Sequence, residues 1–199
     1  MNIYKNLQNT SLVEAIKLGK IGVLPTDTTY GLVASASSPK ATERIYKLKG
    51  RSNKPGTLIA ANIEQLVELG IKLRYLRAVE HFWPNPISVI IPVGSLLPHL
   101  HQGRFSLAVR IPNDTKLVEL LKQTGPLITS STNLSGKKPA KNINQAQKYF
   151  DNLVDFYVDG GDLSSEPSTI IRIIDDSIEV VRQGCVKIDR ETGRIEQIA

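Results

Sequence analysis

The chain has 199 residues, of which 41% are hydrophobic and 22% are charged. This is ordinary globular composition, long enough for one domain with a sizeable core, and it excludes a disordered tail, a coiled coil and a disulfide-stapled miniprotein. The single cysteine, Cys185, leaves no internal disulfide and no thiolate metal cluster, and the first ten residues lack a signal-peptide pattern. We therefore expect a cytoplasmic protein. The longest stretch without charges, residues 81–103, is interrupted by prolines and predicts no membrane span.

The net charge of +6 is unevenly distributed along the chain. Residues 1–148 carry 20 Lys and Arg against 8 Asp and Glu, whereas residues 149–199 carry 5 against 11. The basic first three quarters predict affinity for polyanions or phosphorylated ligands. A solvated basic surface that only aids solubility is the alternative interpretation.

Helix and strand patterns alternate over the first two thirds of the chain. A helix around Leu12–Ile16 precedes the buried strand IGVL, and Ser38-Pro39 is a good start for a helix that ends at Gly50. The further expected elements, in order, are the strand TLIAA, the helix IEQLVEL capped by Asn62, the helix LRYLRAVEHFW ending before Pro84, the strands ISVIIPV and SLAVRIP, the helix KLVELLKQ capped by Asp114, and the strand PLITSST.

The last quarter is rich in strands. The runs FYVDGG, STIIRII and IEVVRQG are apolar and β-branched, with Gly or acidic turns between them. Together with the earlier alternation, they predict an α/β fold of the α+β type, with one mixed sheet covered by helices. We expect a single domain over residues 1–199.

The segment IGVLPTDTTYGL is the first candidate for a binding site. Common nucleotide and hydrolase signatures are absent from the chain. Here, however, a buried strand runs into Thr26, Asp27, Thr28 and Thr29 before Gly31, an arrangement suited to a polar ligand at the end of a strand. The alternative is that Thr and Asp only stabilise the turn through their own backbone.

A basic cluster follows the helix that ends at Gly50. Lys47, Lys49, Arg51 and Lys54 lie within eight residues, and nearby glycines let the backbone bend so that several cations converge on one anion. Cations at a helix end also complement the helix dipole, so part of the pattern needs no ligand.

A third candidate is TSSTNLSGKKPAKN, directly after the strand PLIT. Its hydroxyl, amide and ammonium groups are suited to binding phosphate groups and the edges of bases. The alternative is a plain surface loop, which has a similar composition. Arginines inside apolar strands, Arg110 first and Arg172 or Arg182 later, are stronger signals, because such an arginine needs a carboxylate or phosphate partner.

These segments occur in an order that resembles one known family. The chain resembles the YrdC family of threonylcarbamoyl-AMP synthases in six segments. In chain order these are PTDTTYGL, Lys49-Gly50-Arg51, SLAVRIP, Ser131-Thr132-Asn133, PSTII and VVRQG. The match runs from about residue 21 to residue 184. Each motif is short, but six in one order are specific. The chain differs in having Ser-Thr-Asn for the family's usual Ser-Ala-Asn, and it is similar to the short bacterial form.

The resemblance implies a twisted sheet with a basic concave face and a nucleotidyltransferase activity. The implied reaction joins L-threonine, bicarbonate and ATP into threonylcarbamoyl-AMP and pyrophosphate, for threonylcarbamoyladenosine modification of tRNA. Mg2+ would accompany ATP, with no metal-binding residues assigned in the chain. Separate proteins would transfer the threonylcarbamoyl group to tRNA, and tRNA itself is a candidate partner for the basic face.

The resemblance also implies roles for particular residues. The catalytic set would be Lys49, Arg51, Ser131 and Asn133. Threonine would contact Thr28, Arg110, Ser131 and Ser168, and ATP would contact Lys49, Arg51, Ser106, Asn133, Lys141 and Arg182. Two other functions are compatible with parts of the pattern. They are a non-catalytic RNA-binding module and a carbamoyl-adenylate-forming domain of the kind found in the much longer hydrogenase-maturation carbamoyltransferases.

Overall fold

The fold is built on one ten-stranded sheet. The computed structural model describes residues 1–50, 54–134, 136–175, 177–189 and 191–196. The strands are β1 (Asn2–Tyr4), β2 (Gly22–Pro25), β3 (Tyr30–Ser35), β4 (Thr57–Ile59), β5 (Ile87–Pro92), β6 (Ser106–Arg110), β7 (Leu127–Ser131), β8 (Phe156–Val158), β9 (Thr169–Ile174) and β10 (Ser177–Arg182).

Parallel and antiparallel pairs are mixed along this sheet, whose strand order is β1-β8-β2-β3-β7-β4-β6-β5-β9-β10. Strand β8 pairs in parallel with β1 and β2, and the β4–β6 and β5–β9 pairs are also parallel. The remaining neighbours are antiparallel. The expected mixed sheet is confirmed.

The helices cover both faces of the sheet. They are α1 (Thr10–Lys17), α2 (Pro39–Leu48), α3 (Ile63–Glu68), α4 (Leu73–Arg77), α5 (Pro98–His101), α6 (Thr115–Thr124) and α7 (Ile143–Phe150). The predicted caps are confirmed, because the side chains of Ser38, Asn62 and Asp114 each accept a hydrogen bond from a backbone N–H of the first turn. Within the described residues, no helix is both long enough and apolar enough to cross a membrane.

The two faces of the sheet are covered to different extents. On one face, Leu32, Leu58 and Val109 belong to a large apolar core shared with α2, α3, α4, α5 and α7. On the other face, α1 and α6 form a smaller core with Val33 and Ile59. Residues further along the same face of β3, β4 and β7 are small or polar instead: Gly31, Thr57, Thr129 and Ser131. This half of the face is therefore where a ligand can reach the sheet.

The sequence patterns missed four elements and misjudged one. Strands β1 and β3 and helices α5 and α7 were not predicted. The helix expected over residues 73–83 breaks after Arg77 and resumes only as a 3-10 turn at Glu80–Phe82. The helical run is interrupted at Val79, which has φ −124° and ψ 0°. Pro84 restricts Trp83 to an extended conformation and so ends the 3-10 turn.

Asp155 links α2 to the sheet. Its Oδ2 accepts hydrogen bonds from Arg44 Nη1 at 2.7 Å and from the Ile21 backbone N–H at 2.8 Å. Partial burial acts to raise the pKa of Asp155, but these hydrogen bonds and the Arg44 charge outweigh it and hold the pKa below its usual value. The ionised carboxylate therefore stabilises the folded state.

We predict that Asp155→Asn lowers the free energy of unfolding at pH 7 by about 1 kcal/mol, a discounted value for a half-exposed charged hydrogen bond. Because the folded pKa is depressed, the stabilisation is present above the unfolded pKa of about 3.9 and is lost as the pH falls through the folded value. Urea unfolding from pH 7 to pH 3 measures this difference. Glu119→Gln, in the exposed pair with Lys122, is the control with almost no effect. Parallel pH profiles for wild type and Asp155→Asn would contradict the prediction.

Candidate active site

A cavity of about 130 Å³ lies on the open half of the sheet face. It brings together residues that are far apart in the sequence, including all four expected to contact threonine. Its lining residues are Thr26, Thr28, Thr29, Gly31, Pro55, Gly56, Thr57, Arg110, Thr129, Ser130, Ser131, Pro167, Ser168, Ile170 and Arg182.

The loop of residues 26–29 joins β2 to β3 and forms one wall of the cavity. Thr26 Oγ1 donates to the Thr29 carbonyl at 2.7 Å and accepts from the Thr28 N–H at 3.2 Å. The Thr26 hydroxyl therefore stabilises the turn, as the structural interpretation expects. The same turn also lines the cavity.

Two glycines let backbone segments approach β7 closely enough to form the cavity. A Cβ on Gly31 would lie 2.5 Å from Thr129 Oγ1, and one on Gly56 would lie 2.5 Å from the Thr129 carbonyl oxygen. The second contact is with backbone and cannot be relieved by rotating a side chain. Glycine is therefore required at position 56 by the close approach of residues 55–57 to β7.

Arg110 is the charged group at the base of the cavity. It is only 3% exposed, and its Nη2 lies 3.2 Å from Asp27 Oδ1, whose side chain is 4% exposed. This contact is an ion pair without a hydrogen bond, and Asp27 Oδ1 has no hydrogen-bond partner among the described residues. Arg110 Nε also has none among these residues. The expectation that this strand arginine has a carboxylate partner is confirmed.

The environment leaves the Arg110 guanidinium incompletely satisfied. Its nearest other contact is Nη1 to Thr28 Oγ1 at 3.5 Å, while Asp27 Oδ2 accepts from the Asn113 N–H. Burial lowers the pKa of Arg110 from its ordinary value, and the charge of Asp27 opposes this shift. An arginine nevertheless remains charged in proteins. A buried cation that lines a cavity and is incompletely paired within the protein is suited to binding an anionic group there.

Lys49 lies beside the cavity and organises its β7 wall. The side chain, part of a residue only 3% exposed, donates to the Ser131 carbonyl at 2.7 Å, to Asn133 Oδ1 at 2.8 Å and to the Asn133 carbonyl. Ser131 Oγ also donates to Asn133 Oδ1, at 2.7 Å. Three of the four expected catalytic residues therefore form one network, in which the ammonium fixes the shape of the loop after β7.

Ser168 and Arg182 close the cavity on the side of β9 and β10. Arg182 donates from Nη2 to the Ser168 carbonyl at 2.7 Å, and Ser168 Oγ lies 3.0 Å from Ser88 Oγ. In the β9–β10 ladder Arg182 pairs with Ile170, which also lines the cavity. Arg182, expected at ATP, thus lies within reach of the residues expected at threonine.

The other residues expected at ATP lie outside the cavity lining. Ser106 begins β6, four residues before Arg110 and on the same face of the strand. Lys141 is exposed in the loop before α7, and its carbonyl accepts from the Leu163 N–H. Arg51 lies outside the described residues. Within the described part of the chain, no group of three or more His, Cys, Asp or Glu side chains is placed to hold a metal ion.

Comparison with known proteins shows the family of the chain. The Sua5/YciO/YrdC family model, which carries the description "Telomere recombination", matches residues 14–184. The chain belongs to the Sua5/YciO/YrdC family. Proteins named putative threonylcarbamoyl-AMP synthase are similar to it at 31% identity in Methanocaldococcus jannaschii and 33% in Mycobacterium tuberculosis, covering 90% of this chain in each case and 86% and 85% of those proteins.

Solved structures of the family share the fold. P. abyssi Sua5 complexed with L-threonine superposes with a TM-score of 0.83 at 26% identity, over 94% of this chain and 58% of that longer chain. E. coli YciO gives a TM-score of 0.76 at 23% identity, over 92% and 93% of the two chains. The expected YrdC-like architecture is confirmed, whereas the roles of individual residues remain predictions.

We predict that Lys49→Met lowers the free energy of unfolding by about 1–3 kcal/mol, because the half-buried acceptors of Ser131 and Asn133 lose their donor. Urea unfolding provides the measurement. Lys47→Met is the matched control, since Lys47 lies on the same helix in an exposed pair with Glu43, and its loss costs at most about 0.5 kcal/mol. Equal stability of the two variants would show that Lys49 does not support the loop.

Proposed function

We propose that this member of the YrdC-like family is an L-threonylcarbamoyladenylate synthase. It joins L-threonine, bicarbonate and ATP into threonylcarbamoyl-AMP, with release of pyrophosphate. The observation that carries the proposal is the buried Arg110 in the lining of a small polar cavity, whose Nε has no hydrogen-bond partner among the described residues. Its relatives named threonylcarbamoyl-AMP synthase and the L-threonine complex of P. abyssi Sua5 support the same activity.

The cavity is suited to a small amino acid. Its volume of about 130 Å³ lies well below the roughly 300–1,000 Å³ of pockets for drug-sized ligands. Arg110 would bind the threonine carboxylate, with Thr28, Ser131 and Ser168 offering hydroxyls or carbonyls to its polar groups. Ile170 supplies the apolar surface that a threonine methyl group requires. Among the described lining residues no side chain is acidic. No carboxylate of the lining would therefore stabilise the amine of the bound amino acid in its protonated, ammonium form.

ATP is too large for this cavity and would lie across its open side. There Arg182, Ser106 and Lys141 would contact the nucleotide. Arg51, Lys49 and Asn133 would contact it as well. These side chains would place positive charge where the α-phosphate and the departing pyrophosphate carry negative charge. The arrangement favours catalysis by positioning and electrostatic stabilisation, without a covalent protein intermediate.

The proposed chemistry has two steps. The threonine amine attacks the carbon of bicarbonate and water is lost, which gives a carbamate. A carbamate oxygen then attacks the α-phosphorus of ATP, and the bond from that phosphorus to the bridging oxygen of the β-phosphate breaks to release pyrophosphate. Ser131 would keep the amino acid beside the loop that contacts the α-phosphate, so the carbamate forms next to its acceptor.

Other components remain parts of the proposal. Mg2+ would arrive bound to the phosphates of ATP, where it neutralises charge on the leaving pyrophosphate. The excess of basic residues in the first 148 positions would attract tRNA, and separate transfer proteins would carry the threonylcarbamoyl group to it. We expect these events to occur in the cytoplasm.

The direct test is incubation of purified protein with ATP, Mg2+, labelled bicarbonate and threonine. Pyrophosphate and a labelled threonine-containing adenylate should form only when all components are present. Serine should react roughly 10-fold to 200-fold less well, because one methyl contact supplies discrimination of that size. Pyrophosphate release that does not depend on threonine would overturn the proposal, and RNA binding with no pyrophosphate formation would favour the RNA-binding module.

A second prediction separates the two substrates. Arg110→Ala should weaken threonine use by about 1.5–3 kcal/mol, the range for hydrogen bonds to charged groups, while ATP binding measured without threonine stays nearly unchanged. Isothermal titration with each substrate and steady-state kinetics measure these effects, and thermal unfolding shows whether the variant remains folded.

The matched control is Arg172→Ala. Arg172 also lies on a strand and pairs with a carboxylate, Glu179, but both side chains are close to half exposed. Its loss should change the free energy of threonine binding by less than about 0.5 kcal/mol. If folded Arg110→Ala keeps its threonine dependence and loses ATP binding instead, the two subsites are assigned the wrong way round.

A further inference from the structure

Next to the cavity, one turn of unusual backbone geometry connects α5 to β6. Gln102, Gly103 and Phe105 all have positive φ, at 48°, 80° and 55°. For residues other than glycine, and above all for a bulky one, this left-handed conformation is strained and persists only where the surroundings enforce it. The turn leads directly into Ser106, the first residue of β6.

The His101 side chain enforces this turn. His101 is 2% exposed, and its Nδ1 accepts the backbone N–H of Gly103 at 3.0 Å and that of Phe105 at 3.3 Å. Its ring also packs against the ring of Phe105, with 5.1 Å between centroids. Because Nδ1 accepts hydrogen bonds, the ring proton of the neutral imidazole lies on Nε2.

The environment of the other ring nitrogen, Nε2, indicates that the structural role of His101 is to accept hydrogen bonds through Nδ1. Nε2 is buried and has no hydrogen-bond partner among the described residues. A buried donor without a partner destabilises the folded state, and in native structures it calls for an explanation. The two hydrogen bonds that Nδ1 accepts from the strained turn supply that explanation.

The same turn supports a wall of the cavity. Gln102 Oε1 accepts the N–H of Lys54 at 3.1 Å, and Lys54 begins the segment whose next residues, Pro55 to Thr57, line the cavity. The turn is therefore joined both to this segment and to Ser106, the residue of β6 expected at the nucleotide.

We infer that His101 is a positioning residue for the nucleotide side of the site. This inference rests on the proposed function, because it assigns His101 to the ATP that the function requires. His101 acts through the turn of residues 102–105, which aligns Ser106 and the Lys54 segment with the nucleotide. It does not contact the substrate.

The test compares His101→Ala, His101→Asn and His101→Gln with wild type. Asn places its Oδ1 close to the position of Nδ1 and can accept the same N–H groups, whereas the Gln amide reaches nearer to the position of Nε2. His101→Ala and His101→Gln should raise the KM for ATP by roughly tenfold, a change of the size expected for about one lost hydrogen bond. The KM for threonine should change less, because Arg110, Ser131 and Ser168, expected to contact threonine, do not depend on this turn. His101→Asn should restore most of the wild-type value.

His99→Asn is the matched control on the same helix. His99 Nε2 contacts the Ala36 carbonyl at 2.8 Å and does not hold the turn, so this variant should alter thermal stability without changing the KM for ATP. Hydrogen exchange at the Gly103 and Phe105 amides gives a readout independent of activity. Exchange should be fast in His101→Ala and slow in wild type and His101→Asn.

The outcomes distinguish failure of this inference from failure of the proposed function. Wild-type protein that neither binds ATP nor forms pyrophosphate would refute the function. Wild-type activity with an unchanged KM for ATP in folded His101→Ala or His101→Gln would refute the positioning role, as would an equal effect of His99→Asn. If His101→Ala does not fold, the comparison of His101→Gln with His101→Asn decides.

Discussion

A buried positive charge must be balanced by groups nearby, and Arg110, the last residue of β6, carries such a charge. Among the described residues, Asp27 provides the opposite charge, with its Oδ1 3.2 Å from Arg110 Nη2, and Asp27 Oδ2 accepts the Asn113 N–H. The β2–β3 loop therefore has to fold back over the end of β6. The short connection between the antiparallel strands β2 and β3 thereby brings Asp27 to Arg110 and places three threonines in the lining of the cavity.

Much of the sheet could be predicted from residue patterns, whereas the group of residues that meets at the cavity followed from the family resemblance. Alternation of apolar runs with capped helices indicated a mixed sheet, and an arginine inside an apolar strand indicated a charged partner. Strand β1 was not recognisable, because it is three residues long and its pairing with β8 joins residues about 150 positions apart. Strand β3 was not predicted because Tyr30 and Gly31, its first two residues, were assigned to the polar turn that precedes it.

Helix α7 shows a signal that could have been used. Its segment INQAQKYF follows a loop rich in Lys and Pro, and the sequence patterns predicted no helix there. Asn142 nevertheless caps the helix, and Gln145, three residues later, accepts the N–H of Lys141. The same Asn-x-x-Gln pattern starts α3, where Gln65 accepts the N–H of Ala61. This reciprocal capping is visible in the sequence, whereas the depth of the cavity depends on contacts with Thr129 that no local pattern reveals.

The charge distribution around the cavity also bears on how an amino acid can act there as a nucleophile. A protonated amine cannot attack bicarbonate, and nearby positive charge lowers the pKa of an amine by disfavouring its charged form. Arg110 and Arg182 line the cavity, whereas the one carboxylate in contact with Arg110, that of Asp27, lies outside the lining. The pairing with Asp27 moderates the field of Arg110 without offering an acceptor to the amine. An arginine that holds a substrate carboxylate, as proposed for Arg110, would therefore also favour the neutral, reactive form of the substrate amine.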